Sequence, residues 1–210
     1  INTAADTCEA ALFDGALVAE RVEQMQQGHD ARLAPLVEQL MHEAGKAFSD
    51  LERIAVVAGP GSFTGVRVGV AFSRGLSLAL DIPSVGVTSL EALDGLPQAG
   101  RVLGLLPAKR RPPERTWWGQ RIADGKGGGG PVEAREDELM SFASGVEAVC
   151  GGLSEVPDLR ISRIIALPSA RAAAAISVFV KLHHGTMDAP VSATTTPCSM
   201  TTRIIAASTR

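Results

Sequence analysis

The stretch Ala58-Gly59-Pro60-Gly61-Ser62-Phe63-Thr64-Gly65-Val66-Arg67 follows directly on the apolar run Ile54-Ala55-Val56-Val57. A short buried run, a glycine-rich joint and then VRVGVAFSRGLSLAL read as strand, tight turn and helix, the local signature of an α/β fold. Gly59, Gly61 and Gly65 permit close backbone approach, and Pro60 stiffens the turn. Ser62 or Thr64 is placed to cap a helix starting near Gly65. Residues Gly59, Pro60, Gly61 and Gly65 therefore read as a structural joint. The same joint leaves backbone N–H groups at a positive helix end, so Gly61, Ser62 and Thr64 are candidates for holding an anion. The spacing fits neither familiar phosphate loop. Val66-Arg67 stand where a Walker A loop needs Lys-Ser/Thr, and Thr64 stands where a dinucleotide fingerprint needs glycine.

The helix after the joint is apolar on more than one face. Gly65, Gly69, Ser73 and Ser77 recur every four residues, a small-residue stripe against which another backbone can pack closely. Val68, Phe72, Leu76 and Ala79 form a bulkier stripe beside it. One face can cover a sheet, and the other needs a second subdomain or a second chain. This marks Gly65, Gly69, Phe72, Ser73, Leu76 and Ser77 as the expected partner interface.

Outward from the joint, INTAADTCEAALFDGALVAERVE reads as a hairpin turning at Asp14-Gly15. Leu33, Leu36, Val37, Leu40 and Met41 share a helical face, with Asp30 as the expected cap, Gly45 at the far end, and a start near His29 that keeps Pro35 in the first turn. A strand is expected at 84–87, then a short helix capped by Thr88 or Ser89, with Glu91 spaced for a capping box if Thr88 is the cap. Beyond residue 97 come a strand at VLGLL, a basic segment PAKRRPPERT, a strand at WWGQRI, a flexible tip ADGKGGGGP and a helix at EDELMSFA. A strand at 163–168 and a helix over 169–185 follow. Two subdomains are expected, 1–98 and 99–210, each alternating strand and helix.

The chain has 210 residues, 45% of them hydrophobic, and a net charge of -3, so no global attraction to nucleic acid or anionic lipid is expected. Cys8, Cys150 and Cys198 have neither CxxC spacing nor an even count and read as reduced thiols of a cytoplasmic protein. No apolar run approaches the length of a membrane span. The opening on Ile1, partway into a strand, suggests that a few N-terminal residues precede it.

The combination INTA, CEAAL, HDARLAPLV, AGPGSFTGVRVG, GLSLAL and VGVTSLEAL resembles the TsaB (YeaZ) family, convincingly from residue 1 to about 95, with LPSARAAAAI still fitting and the last 20 residues matching poorly. The resemblance implies a two-subdomain actin-like ATPase (ribonuclease H-like) α/β fold, with mixed sheets and flanking helices. It also implies a non-catalytic assembly subunit. Its partner TsaD would transfer threonylcarbamoyl to adenosine 37 of tRNAs reading ANN codons, with the ATPase TsaE in the wider assembly. A homodimer is implied for the chain alone, and any tRNA contact is indirect. No cofactor is required of this chain, ATP and magnesium belonging to the partners. Two departures remove a carboxylate each: Asn2 replaces the family's aspartate in IDTA, and Pro107-Ala108-Lys109 replace a DAR triplet. Both count against magnesium-nucleotide chemistry here. An independent ATP-binding enzyme related to sugar kinases is the alternative.

The remaining candidates are weaker. His29 beside Asp30 reads as a polar cap, and His42, His183 and His184 suit helix C-termini rather than a metal. Ser62 is not in a nucleophile elbow. Glu133, Glu136, Asp137 and Glu138 read as a solvated face. From Arg101 to Arg121 there are six basic residues and one acid, ending at Trp117-Trp118. That segment is a further candidate, for RNA contact through stacking and phosphate pairing, although adjacent tryptophans on a strand face opposite ways.

Overall fold

The computed structural model describes residues 1–93, 100–108, 115–124, 126–152 and 162–165. The expected hairpin is present as β1 (Thr7–Asp14) and β2 (Ala16–Gln24), turning at Gly15 with φ 70. Along β1, Cys8, Ala10 and Leu12 alternate onto one face. They meet Leu33, Leu36, Val37, Leu40 and Met41 of α1 (His29–Glu43), so the helix buries the face its sequence period marked out. Two local details differ from expectation. The N-cap of α1 is Gly28 in the left-handed region, with Asp30 inside the first turn. Pro35 also lies inside the helix, beyond the first turn. Its ring and Ala31, whose carbonyl it leaves unpaired, are both exposed, where water can satisfy the carbonyl.

The strand before the joint is β3 (Ile54–Val57), buried throughout, and it pairs in parallel with β4 (Ser84–Val87) across α2 (Phe63–Leu80). This β3–α2–β4 unit is the crossover that the strand–turn–helix pattern foretold. Residues Ile1–Thr3 knit it to the hairpin. Asn2 and Glu9 exchange backbone hydrogen bonds of 3.0 and 2.9 Å, and Val57 N donates to Ile1 O at 2.9 Å. The order across this layer is therefore β2, β1, the opening residues, β3, β4. Both α1 and α2 lie on one face, Val68 and Phe72 of α2 packing onto the α1 core.

A second, mixed sheet has the order β7-β6-β5-β8-β9. It contains β5 (Arg101–Pro107), β6 (Thr116–Ala123), β7 (Lys126–Arg135), β8 (Ala148–Gly151) and β9 (Ser162–Ile165), with α3 (Glu136–Phe142) on one face. The glycine run is not a loose tip: Gly127 and Gly128 pair with Ile122 and Arg121 in an antiparallel ladder. Strand β8 had no distinct sequence signal, and it pairs in parallel with β5. The helix expected over 169–185, with His183 and His184, lies outside the described residues, as do Lys109, Cys198 and the subdomain division near residue 98. Among the described residues no helix is long and apolar enough to cross a membrane.

Candidate functional site

At the joint, Ser62 caps α2, its Oγ accepting from Gly65 N at 3.2 Å. Ser62 N donates to Ala4 O at 2.7 Å, and Thr3 Oγ1 donates to Gly65 O at 2.8 Å. A Cβ on Gly61 would run into the Ala4 carbonyl, and one on Gly65 into the Thr3 carbonyl. The glycines are thus required because the opening strand crosses directly over the start of α2. Gly59, at φ 93, presents its carbonyl to Ser89 N at 2.8 Å. The amides of Ser62 and Gly65 are spent inside the chain, on Ala4 and on the Ser62 cap. The joint clamps the first strand, α2 and the segment after β4 together.

The small-residue stripe needs a correction. Gly65 and Gly69 are buried against the chain's own opening strand and β3, and Ser73 is buried further along the helix. A Cβ on Gly69 would collide with Thr3 Oγ1 and touch Val56 Cγ2 at 3.5 Å. Phe72 packs on the α1 core. Leu76 is half-buried, and half-buried Ser77 donates from Oγ to the Ile82 carbonyl. The misreading has a simple cause: close packing demands small residues whether the neighbour is a partner's helix or the chain's own strand.

What α2 leaves open is the opposite face. Phe63 is 76% exposed and Leu78 85% exposed. Arg67, Ala71 and Arg74 lie exposed between them at helical spacing. The Arg67 guanidinium sits over the Phe63 ring, 5.1 Å from its centre. The helix carries these two arginines and no acidic residue. The sequence contained the signal, since arginines seven apart mark one solvent-facing line and Phe63 and Leu78 fall beside it. Aromatic side chains and arginines are enriched at protein–protein interfaces.

The magnesium-nucleotide raised by the resemblance does not fit the residues present. Asn2 is fully buried, its Oδ1 accepting from Ala4 N at 3.0 Å and its Nδ2 donating to Glu9 Oε2 at 3.3 Å. Thr7 Oγ1 donates to the other Glu9 oxygen at 2.6 Å. Both ends of the amide are used within the fold, and the Ala4 carbonyl takes up the Ser62 amide at the helix end. Among the described residues no group of three or more His, Cys, Asp or Glu side chains could hold a metal.

His29 is buried, with Nε2 3.1 Å from Thr7 O, so it ties α1 to β1. His42 lies in the last turn of α1. Burial pushes the Cys8 and Cys150 thiols up to about 11. Trp117 is buried in the core on one face of the second sheet, and half-buried Trp118 packs against the core on the other. Arg101 and Arg121 flank a largely aliphatic cleft of about 180 Å³. Arg121 donates to Ser141 O at 3.4 Å and stacks on Phe142, which engages it at the end of α3. Glu136, Asp137 and Glu138 are exposed, while Glu133 accepts from Thr116 Oγ1 at 2.6 Å.

Residues 19–97 match the family model "TsaD: tRNA N6-adenosine threonylcarbamoyltransferase". The chain is 36% identical over 90 residues to the tRNA threonylcarbamoyladenosine biosynthesis protein TsaB of Escherichia coli, covering 43% of this chain and 39% of that one. It is 40% identical over 84 residues to Bacillus subtilis TsaB, covering 40% and 37% respectively. The match therefore spans about two fifths of the length of these relatives. Among solved structures, YeaZ from Pseudomonas aeruginosa superposes with a TM-score of 0.69 at 26% identity, over 85% of this chain and 88% of that one. The mixed α/β architecture of open sheets with flanking helices is shared with it.

Proposed function

On the premise of homology to TsaB and YeaZ proteins, we propose that this chain is a non-catalytic assembly subunit. It supports TsaD in N6-threonylcarbamoylation of adenosine 37 of tRNAs reading ANN codons. The observation that carries this reading is the outer face of α2, with Phe63 and Leu78 exposed at either end of an arginine-bearing line. The region matched by the TsaD model includes this helix. A TsaD partner built on the same domain would present the equivalent helix, so the two faces can pair about a pseudo-two-fold axis. Self-association of this chain would use the same face and compete with the partner.

The chain's part in the reaction is then mechanical. It holds a helix rigidly by locking its buried side on Thr3 and its start on Ala4, and offers the other side to the catalytic subunit. TsaE belongs to the wider assembly. The ATP-enzyme reading is opposed by the commitment of Asn2 to Ala4 and Glu9. Co-purification with the cognate TsaD, followed by a tRNA modification assay, tests the proposal. A stable complex with stimulated modification supports it. Absence of both overturns it.

A further inference from the structure

The segment joining the two sheets divides its side chains between two cores. Ala92 is fully buried in the first, among Ala4, Ala55, Val57 and Val87. Leu90 and Leu93 belong to the second, with Val102, Ile122, Ala148 and Cys150. Thr88 and Glu91 fix this turn by the capping box the spacing implied: Thr88 N donates to Glu91 Oε2 and Glu91 N to Thr88 Oγ1, each at 3.1 Å. The turn is a single one, closed by Ala92 N to Thr88 O at 3.0 Å.

A polar clamp ties the same turn to the second sheet. Gln120 of β6 is 2% exposed, and its Nε2 donates to Gly129 O at 2.7 Å, which turns Oε1 toward Thr88. The Thr88 hydroxyl lies 3.1 Å from Gln120 Oε1 and 2.8 Å from Glu91 Oε2, so its one proton is shared between a residue of the turn and a residue of the sheet. A Cβ on Gly127 would strike the Gln120 amide and come within 2.8 Å of Glu91 Oε1. The glycine-rich start of β7 thus leaves room for the clamp. Gly104 on β5 is similarly crowded by Leu90 Cδ2 at 3.2 Å and Leu93 Cδ1 at 3.5 Å.

We propose that the turn 88–93 and the Thr88–Gln120–Gly127 clamp fasten the two sheets into one rigid, cooperatively folded body that does not open and close between them. The reasoning is energetic. A hinge needs few buried contacts and backbone hydrogen bonds that water can replace. Here two fully buried leucines and a buried amide bonded at both ends would all have to leave their sites. The inference is independent of the partner reading, since it concerns only how the two sheets hold together.

Native-state hydrogen exchange of the full chain in increasing urea tests it. In the wild type, slow amides of β3 in the first sheet and β5 in the second should merge onto a single opening transition. In Gly127→Ala, whose methyl group wedges the clamp, the shared transition should fall, so that slow amides of β3 as well as of β5 and β6 exchange roughly tenfold faster. Thr88→Val, which removes the hydroxyl without adding bulk, serves as the milder variant should Gly127→Ala fail to fold, and should shift the same amides in the same direction. Two separate wild-type transitions, or acceleration confined to the second sheet in the variants, would overturn the proposal.

Discussion

The Ala4 carbonyl accepts a hydrogen bond from Ser62 N at 2.7 Å, closing a contact across 58 residues at the start of α2. Beside it the Thr3 carbonyl lies where a Cβ of Gly65 would have to go. Together these contacts turn a glycine-rich joint into a packing device. Replacing Gly65 by alanine gains roughly 1 kcal/mol of helix propensity, but strain of about 1–3 kcal/mol opposes it, because the colliding atom is backbone and cannot rotate away. The expected outcome is a net loss of stability and a lowered melting temperature by circular dichroism. An unchanged or raised melting temperature would show that the crossing is looser than described. Gly69→Leu is expected to act in the same sense, lowering stability before it touches association.

Ser73 gives a prediction of opposite sign. It is fully buried in α2, and its Oγ has no hydrogen-bond partner. An unpaired buried hydroxyl costs about 1–3 kcal/mol, so Ser73→Ala should stabilise the protein by about 1 kcal/mol. Urea denaturation with an unchanged slope and a higher midpoint would bear this out. A lower midpoint would mean that the hydroxyl is satisfied.

Much of this was legible locally. The Asp14-Gly15 turn, the Ser62 cap and the Thr88–Glu91 capping box each depend on a few neighbouring residues, and all are present. The α1 stripe was legible because its period matches the helix it forms. What failed to show depends on distant partners. Glycines 127–130 have no side chains from which to read alternation, and their strand exists because β6 lies alongside. The direction of the Gly65–Gly69–Ser73 stripe was set by Thr3, more than sixty residues away in sequence. Small size alone could not reveal which neighbour demanded it.

The thiols supply a pH-dependent test. Cys8 and Cys150 are both inaccessible, and burial raises each from 9.0 to about 11. Folding therefore favours the neutral thiol. Their contribution is fully present below about pH 9 and is lost as pH climbs toward 11, because the unfolded chain ionises first. Native protein at pH 8 should be alkylated at these two positions far more slowly than urea-unfolded protein, with peptide mass spectrometry assigning the sites. Rapid native labelling of either would contradict its placement.

Arg32 bridges Glu23, joining α1 to β2, and the hydrogen bond from its guanidinium holds the Glu23 carboxyl below its usual range. The sign is that of a depressed carboxylate: stability is present above the ordinary carboxylate range and lost as pH falls through the lowered value. Because the pair lies at the surface and is only partly buried, Glu23→Gln should cost little at neutral pH and should flatten the acid limb of the stability profile. An acid limb identical to the wild type's would show that the bridge carries no net interaction.

The central claim, that the outer face of α2 docks the catalytic partner, rests on a side chain that does nothing for the fold. Leu78 is 85% exposed, so Leu78→Asp should leave the melting temperature within the small range of surface substitutions, about 0.5 kcal/mol. Titration calorimetry of wild type and Leu78→Asp against the cognate TsaD, on samples matched by melting temperature, is the most direct measurement. Binding is expected to be weaker by tenfold or more in the variant, an apolar interface contact of roughly 1.4 kcal/mol or greater, with tRNA modification falling in parallel. Equal affinity of the two proteins for TsaD would contradict it.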